Sequence, residues 1–232
     1  MKPLAKKIKV KNFKELLSKA PNFWKSILQE KVLHIIGLPV LSKDQFLLFS
    51  RACAQGKNDL ERFISWDFGH IMELKEDEKA NNYLFSQEKV PFHWDGAFLE
   101  CPSILLFQCL EPAQKGGETL FCDTEEILSY LTEKEKEILK KTKAHYTTEK
   151  LAHYGGTMSQ QILDTHPITQ RPVLRFGEMV TSKLSPVTRH TNNEAAEKIL
   201  AKLDSFLNNP NFQLVHRWKK GDILLADNHS LL

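Results

Sequence analysis

The segment VPFHWDG, residues 90–96, begins the part of the sequence that decides the fold. Apolar or alternating runs occupy 90–95, 103–110 and 118–122, and single glycines, a proline and a Gly-Gly pair separate them. Short runs bounded by such residues are typical of strands with tight connections. We therefore predict strands at these three places, and the same pattern predicts further strands at 31–41, 172–176, 178–182, 212–218 and 223–226.

Helical patterns precede and interrupt these strands. Thr132 with Glu135 forms a capping-box sequence, and Asp123 is a second N-cap residue, so 124–143 predicts two helices or one kinked helix. Three other segments have the apolar spacing of helices: 12–30, which we expect to break at Pro21, 42–54 after Ser42, and 192–207 after Asn192 or Asn193. Strands with helices inserted between them predict a mainly β fold, most similar to a β-sandwich or barrel.

The composition is that of an ordinary globular domain. The chain has 232 residues, of which 41% are hydrophobic and 26% charged, so disordered and collagen-like classes are excluded. We expect a single domain over residues 1–232. Four cysteines without a Cys-x-x-Cys pair predict free thiols. Because no apolar run approaches the roughly 20 residues that cross a bilayer, and residues 1–19 lack the apolar core of a secretory signal, we expect a cytoplasmic protein.

Positive charge is concentrated in residues 1–19, which hold seven lysines and one glutamate. The net charge of the whole chain is only +3, so the remainder is mildly acidic. A basic arm of this kind can contact nucleic acid or anionic lipid. No basic stripe with interleaved aromatic residues follows it, so we expect a solvated or frayed terminus, with neither nucleic acid nor a membrane as partner.

His93 and Asp95 are candidate metal ligands. In a strand, residues two apart point to the same side, so these two side chains project together, while Phe92 and Trp94 face the opposite way. An imidazole beside a carboxylate supplies two thirds of the His/His/carboxylate set that binds non-haem Fe(II). Taken alone, the pair is more simply interpreted as an ion pair at a strand end, because such triplets arise by chance.

Two later segments raise the specificity of this signal. GGETLF occupies 116–121, and RWKKGDILLADN occupies 217–228. In this order the three segments resemble the TauD/TfdA family of Fe(II)- and 2-oxoglutarate-dependent dioxygenases, whose pattern is HxD, a GGxT strand, and a Trp-x-x-Gly-Asp strand leading to Asp-Asn. The resemblance covers about residues 30–232. Within the family, PFHWDGAF at 91–98 is most similar to the PvcB-type enzymes of isonitrile-forming natural-product pathways.

The resemblance implies a fold, a chemistry and roles for particular residues. The fold would be a double-stranded β-helix, or jelly roll, and the cofactors would be Fe(II), 2-oxoglutarate and O2. His93 and Asp95 would be two of the three iron ligands, and Thr119 would hydrogen-bond a carboxylate of 2-oxoglutarate. The reaction would be hydroxylation, desaturation or oxidative decarboxylation of a small, amino-acid-derived metabolite. Phe98 flanks the ligand pair and is a candidate for substrate binding or for the core.

The end of the sequence departs from the family pattern. The family's distal iron-binding His and its 2-oxoglutarate-binding Arg follow the Asp-Asn motif, whereas the printed sequence ends at Leu232. The third ligand is therefore expected just beyond Leu232, and the domain is expected to be incomplete at its C-terminal end. If Leu232 is the true end, the alternative is a non-catalytic jelly-roll module that binds a small molecule. His229 is a weak substitute ligand, because a shift along a strand reverses the face.

Other candidate sites have less support. A zinc hydrolase built on His93, Asp95 and another histidine lacks a motif for its third ligand. His166 before Pro167 is a candidate for catalysis or for a turn with a bonded imidazole. The Gly-Gly pair at 116–117 predicts a β-turn rather than a P-loop. Arg175 and Arg189 are possible anchors for an anion, without a motif behind them.

Overall fold

The computed structural model describes residues 5–54, 69–77, 79, 85–98, 100–148, 156–181 and 186–232. Strands and helices alternate along the described chain, which confirms the predicted class of sheets with inserted helices. In chain order the elements are β1 Ala5–Lys9, α1 Phe13–Glu30, β2 Val32–Ile36, α2 Lys43–Ala54, β3 Ile104–Gln108, β4 Thr119–Cys122, α3 Thr124–Leu128, α4 Glu133–Lys140, β5 Lys143–Thr148, β6 Gly156–Gln161, β7 Leu163–Thr165, β8 Pro172–Leu174, β9 Val187–His190, α5 Glu194–Leu207, a 3-10 turn Pro210–Phe212, β10 Gln213–His216 and β11 Ile223–Asp227.

The elements group into two compact units. The first unit takes residues up to 71 together with 102–121 and 214–231, and the second takes 72–101, 122–213 and residue 232. The first unit is built on a four-stranded sheet in the order β1-β2-β11-β3, beside a two-stranded pairing of β10 with β4. β1 and β2 are parallel, whereas β11 runs antiparallel to both β2 and β3.

The central position of β11 explains its uninterrupted apolar sequence. Ile223 and Leu225 pack into one apolar cluster, which also contains residues of α1 and α2. Leu224 and Ala226 point to the other face and pack into a second cluster. Both faces of the strand are therefore buried, so the strand carries no alternating polar residues.

Helix α1 corrects the prediction of a break at Pro21. The helix is continuous from Phe13 to Glu30 with Pro21 inside it, and Asn12 caps its start. A proline inside a helix removes one backbone hydrogen bond and costs about 3 kcal/mol or more. The buried side chains lie on both sides of the proline, at Leu16, Ala20, Phe23 and Ile27. Burial of that apolar face offsets the free-energy cost of Pro21. Helix propensity along the sequence does not include this burial, so it predicts a break.

The N-terminal arm is ordered where the structure describes it. β1 pairs with β2 over five residues, so the prediction of a frayed terminus is wrong for residues 5–9. Lys6, Lys7 and Lys9 are nevertheless exposed, as the solvated interpretation requires. None of the helices in the described ranges has both the length and the apolar character needed to cross a membrane.

The second unit combines a three-stranded sheet with helical packing. The sheet has the order β6-β5-β9 and is antiparallel, and β7 pairs separately with β8. α3 packs on β8, and α4 packs on α5 and β7. The predicted helix starts are confirmed: Asp123, Thr132 and Asn193 cap α3, α4 and α5, and Thr132 forms a full capping box with Glu135.

Two predicted strands of this unit are wrong. Residues 90–95 form no strand, although the Glu178 N–H donates to the Phe92 carbonyl at 2.8 Å. In 178–182, Val180 makes one isolated bridge to Val187, and residues 182–185 lie outside the described residues. The strand β8 pairs with β7 rather than with this segment. Strand formation needs a partner of matching direction, and the local sequence does not identify that partner.

Candidate functional site

His93 and Asp95 lie side by side at the surface of the second unit. His93 Nε2 is 3.0 Å from Asp95 Oδ1, and the two side chains are 44% and 37% exposed. His93 Nδ1 is 2.8 Å from the carbonyl oxygen of Pro91. Because a carbonyl only accepts, Nδ1 carries a proton, and Nε2 is the nitrogen directed towards Asp95.

The alternation predicted for this segment is confirmed, although the segment is not a strand. Phe92 and Trp94 are 5% and 4% exposed, so they face the interior while His93 and Asp95 face outwards. The Phe92 N–H donates to Glu178 Oε2 at 2.9 Å. Trp94 is anchored inside the unit by an edge-to-face contact with Tyr146, with ring centroids 5.9 Å apart. Extended backbone alternates its side chains even without a neighbouring strand.

Asp95 is also the first residue of a tight turn that continues to Phe98. Gly96 has a φ of +79°, and a Cβ atom at this position would lie 2.0 Å from the backbone oxygen of Glu100. Only glycine fits this combination of backbone angle and close approach. Phe98 lies on the same turn and is half-buried, so the structure leaves open its predicted role in substrate binding.

The spacing of the pair is compatible with a metal ion, and its electrostatics favour the protonated imidazole until a metal displaces the proton. Burial alone would lower the pKa of His93, but the hydrogen bond and negative charge of Asp95, with the Pro91 carbonyl, outweigh it and raise that pKa. The 3.0 Å between His93 Nε2 and Asp95 Oδ1 is a hydrogen-bond distance, and it is also about the separation of two neighbouring donors around an octahedral ion. The carbonyl on Nδ1 is the outer partner that metal-bound histidines commonly have.

Thr119 is the first residue of β4, in the first unit. Its Oγ1 accepts a hydrogen bond from Trp218 Nε1–H at 2.9 Å. The Trp218 ring in turn lies edge-on to Phe107 and His216, with centroids 6.3 Å and 4.4 Å away. The indole therefore holds the threonine hydroxyl in one orientation.

The Asp-Asn segment at the end of β11 has structural bonds within the first unit. Asp227 is 1% exposed, and its carboxylate accepts from the His229 N–H at 3.0 Å and from Ser230 Oγ at 2.7 Å. Asn228 Nδ2 donates to the carbonyl of Pro102 at 2.8 Å. The imidazole of His229 is 3.4 Å from Ser103 Oγ. These bonds fix the chain direction after β11.

The weaker candidates have structural explanations. His166 is fully buried, and its Nδ1 accepts from the N–H groups of Ile168 and Thr169 at 3.1 and 3.2 Å, which is the turn with a bonded imidazole. Arg189 forms a two-pronged ion pair with Asp204, with N–O distances of 3.0 and 2.6 Å, so it is not a free anion anchor. Arg175 lies 5.2 Å from the centre of the Trp94 ring.

Two of the cysteines, Cys53 and Cys122, are not suited to nucleophilic catalysis. None of the four forms a disulfide, and burial raises the pKa of Cys53 and Cys122 to about 12. Both thiols are therefore protonated near neutral pH. This agrees with the absence of a nucleophile motif in the sequence.

Sequence reasoning missed several residues that support the candidate ligands. Glu178 binds the backbone beside His93, and Tyr146 holds Trp94, but neither residue belongs to a motif. Pro91 lies two residues before His93, so its carbonyl contact could have been anticipated. Trp218 belongs to the Trp-x-x-Gly-Asp segment, and that segment was the available signal for its contact with Thr119.

Comparisons with known proteins place these features in a family. The model of the family described as taurine catabolism dioxygenase TauD, TfdA family, matches residues 1–232. The 3-((Z)-2-isocyanoethenyl)-1H-indole synthase of Fischerella ambigua is 42% identical over 178 residues, which are 73% of this chain and 65% of that protein. The tyrosine isonitrile desaturase of Pseudomonas aeruginosa is 32% identical over 185 residues, which are 75% of this chain and 63% of that protein.

A solved structure is similar over most of the chain. The crystal structure of the PvcB protein from Pseudomonas aeruginosa matches with a TM-score of 0.70 and 25% sequence identity, over 91% of this chain and 72% of that one. The chain spans just under two thirds of the length of the two curated relatives described above. Because the family model matches all of residues 1–232, the chain belongs to the TauD/TfdA family of dioxygenases.

Proposed function

We propose that the protein is an Fe(II)- and 2-oxoglutarate-dependent oxygenase that oxidises a small isonitrile derived from an aromatic amino acid. The observation that carries this proposal is the paired donors of His93 and Asp95, exposed to solvent and at the spacing of adjacent metal ligands. The relatives named for a tyrosine isonitrile and for an isocyanoethenyl indole support the substrate class. A further solved structure is that of PvcB, described as an Fe, alpha-ketoglutarate dependent oxygenase from an isonitrile synthetic pathway, with 26% sequence identity.

In this proposal His93 Nε2 and Asp95 Oδ1 hold the Fe(II). When bound, Fe(II) and 2-oxoglutarate supply the chemistry that activates O2 for oxidation of the substrate. The third ligand, a histidine just beyond Leu232, stays a prediction, as do the single domain, its C-terminal continuation and the jelly-roll arrangement of the strands. Two donors of a facial His/His/carboxylate set are the part of the site that this chain itself supplies.

The chain's own residues prepare these donors for the metal. The Pro91 carbonyl accepts a hydrogen bond from the Nδ1–H of His93, so Nε2 is the nitrogen that faces the metal. The Nε2 lone pair binds the metal once the proton on Nε2 is displaced. Glu178 fixes the backbone at Phe92, and Trp94 is buried on the opposite side of the same segment. The two donors therefore keep their separation without depending on the metal, and ordering of the ligands costs less on binding.

Thr119 is the proposed contact for a 2-oxoglutarate carboxylate. A hydroxyl has one proton and two lone pairs, and Trp218 already donates to one of the lone pairs. The remaining proton can therefore be donated to a carboxylate oxygen. Replacing Trp218 by Phe removes this positioning contact, and we expect the KM for 2-oxoglutarate to rise several-fold while kcat changes little. A kcat loss with unchanged KM would contradict a positioning role.

The first experiment is an anaerobic titration of the purified protein with Fe(II) and 2-oxoglutarate. A keto acid chelated to Fe(II) gives a visible charge-transfer band, and we expect that band in the original protein but not in His93→Ala or Asp95→Ala. His190→Ala is the matched control, because His190 is an exposed histidine on β9 and should leave the band unchanged. A band that survives His93→Ala would refute the ligand assignment.

The second experiment tests the substrate class. The isonitriles of tyrosine and tryptophan are incubated with Fe(II), 2-oxoglutarate and O2, and product mass and succinate are measured together. A loss of two hydrogens indicates desaturation, and a gain of one oxygen indicates hydroxylation. Succinate formed without change in either isonitrile would reject this substrate class but keep the oxygenase chemistry.

The alternative of a non-catalytic binding module makes the opposite prediction. Such a module binds an isonitrile with no charge-transfer band and no turnover. The cytoplasm stays the proposed location, because the sequence has four cysteines without a Cys-x-x-Cys pair.

A further inference from the structure

A second group of potential ligands lies in the first unit, made of residues that the proposed iron site does not use. His34 comes from β2, His216 from the end of β10, and Asp222 from the turn that precedes β11. Their donor atoms all lie within 4.8 Å of one another. His34 Nε2 is 3.2 Å from Asp222 Oδ1, and His216 Nε2 is 3.5 Å from Asp222 Oδ2.

The two imidazoles of this group have an unexplained feature. Both Nε2 atoms are buried, and within the described part of the chain neither has a hydrogen-bond partner, although a carboxylate oxygen lies near each. The N–O distances to Asp222 are therefore short, but the angles at the ring nitrogens are not those of a hydrogen bond. His216 and Asp222 are 9% and 6% exposed. Buried polar atoms without partners are rare in folded proteins, and an ion or ordered water often accounts for them.

The donor set indicates which kind of ligand fits. Two imidazoles and one carboxylate are typical ligands of Zn²⁺ and of other divalent transition metals such as Fe(II), whereas Ca²⁺ and Mg²⁺ prefer sets made of oxygen atoms. Donors arranged tetrahedrally at about 2.1 Å from one ion lie about 3.4 Å apart. The two nitrogen–oxygen distances of 3.2 and 3.5 Å agree with this spacing. The negative carboxylate argues against an anion.

The ligands are held in place by bonds other than those to a metal. The Asp222 carboxylate accepts from the Lys219 N–H at 2.9 Å, and the Cys109 N–H donates to the Asp222 carbonyl at 2.9 Å. The His216 ring packs edge-on between His34 and the Trp218 ring, with centroids 4.6 and 4.4 Å away. Positioning of this kind is the outer support that metal sites commonly have.

The charge state of His216 suits a metal ligand. Burial lowers the pKa of His216 to about 4, and the neighbouring His34 and Lys7 on β1 act in the same direction. Asp222 has the opposite effect on this pKa, but it is outweighed. Neutral imidazole is the form that binds metal.

We propose that His34, His216 and Asp222 bind one divalent transition-metal ion of the zinc class. His34 is far in the sequence from His216 and Asp222, so the ion would join β2 to β10 and the turn before β11. The three protein donors leave a fourth coordination position for a small exogenous ligand. The proposal does not depend on the proposed oxygenase function, since the two groups share no residue.

The test uses the His93→Ala protein, in which the proposed iron site is removed. Equilibrium dialysis against Zn²⁺ should give one ion per chain, and thermal unfolding should shift to higher temperature with added Zn²⁺. Adding His34→Gln to this protein removes a direct ligand. Loss of an outer-shell partner weakens metal binding roughly 10- to 100-fold, and we expect His34→Gln to weaken Zn²⁺ binding by more than that. The thermal shift should disappear together with the binding.

Further variants distinguish the possible outcomes. Asp222→Asn keeps the size of the side chain and should also weaken binding, and circular dichroism checks that each variant is folded. His190→Ala is the matched control, because His190 stacks on His145 at 5.4 Å and this exposed pair is the competing histidine site. X-ray absorption at the zinc edge should show two imidazoles.

Three results would overturn the proposal. Zn²⁺ binding that survives His34→Gln places the ion elsewhere, and Zn²⁺ binding lost in His190→Ala assigns it to the exposed pair. No saturable binding means that the buried nitrogens are satisfied by water alone. The spectrum of the bound zinc remains decisive even if a variant fails to fold, because it is recorded on the His93→Ala protein itself.

Discussion

Replacing Gly96 by Ala tests how the turn after the ligand pair is built. The new Cβ atom would lie 2.0 Å from the Glu100 oxygen and 2.9 Å from the Cys101 Cα, which are backbone atoms that cannot rotate away. The left-handed angle costs a non-glycine residue about 1–2 kcal/mol. Overpacking against fixed atoms typically adds about 1–3 kcal/mol. We therefore expect the free energy of unfolding to fall by about 2–5 kcal/mol.

The matched control is Gly116→Ala, because it isolates the steric part. Gly116 has a φ of +72°, yet nothing lies within 4 Å of its Cβ position, so only the cost of the backbone angle applies. Urea unfolding of both variants should differ by about 1–3 kcal/mol. The Fe(II) and 2-oxoglutarate band should be lost or weakened only in Gly96→Ala. Equal stability of the two variants, with equal bands, would refute the argument.

Three further perturbations test the second unit. Tyr146→Phe removes the oxygen that accepts the Gly177 N–H at 2.9 Å, and we expect a loss of about 1–3 kcal/mol in urea unfolding. Phe176→Ala empties a fully buried position and should cost about 3–5 kcal/mol, measured in the same way. Lys202 and the Thr132 backbone lower the pKa of Glu135 in the folded state. The Glu135 carboxylate therefore stabilises the fold at pH values above its unfolded pKa. This stabilisation is lost as the pH falls through the lower pKa of the folded state. In Lys202→Met, thermal unfolding between about pH 5 and 3 should therefore depend less steeply on pH, and an unchanged slope would contradict this assignment.

Local sequence signals predicted the helix starts correctly. Asp123, Thr132 and Asn193 cap the helices that their side chains predict, because capping depends on residues two or three apart. The Gly-Gly pair before β4 has positive φ at both positions, an angle that glycine adopts without strain, and the β-turn predicted there stays a prediction. Pro21 was misjudged because the burial that keeps α1 continuous comes from residues outside the helix.

The candidate ligand pair was predicted for a partly wrong reason. The sequence predicted that His93 and Asp95 would project together from a strand, and they do lie together, but the segment is not a strand. The opposite directions of neighbouring side chains are a local property, so the alternation holds whether or not another strand pairs with the segment. The pairing of strands is not local, so the sequence did not identify β7 as the partner of β8.

The sequence by itself determined the family, through three ordered motifs, and with it the candidates His93, Asp95 and Thr119. Only the tertiary structure brought His34, His216 and Asp222 together, since they lie in separate segments with no metal-binding spacing between them. Spacing along a chain records neighbours within one element, where periodicity is fixed by backbone geometry. Contacts between β2, β10 and the turn before β11 depend on which strands pair and which faces are buried, and that is set by the packing of the whole unit.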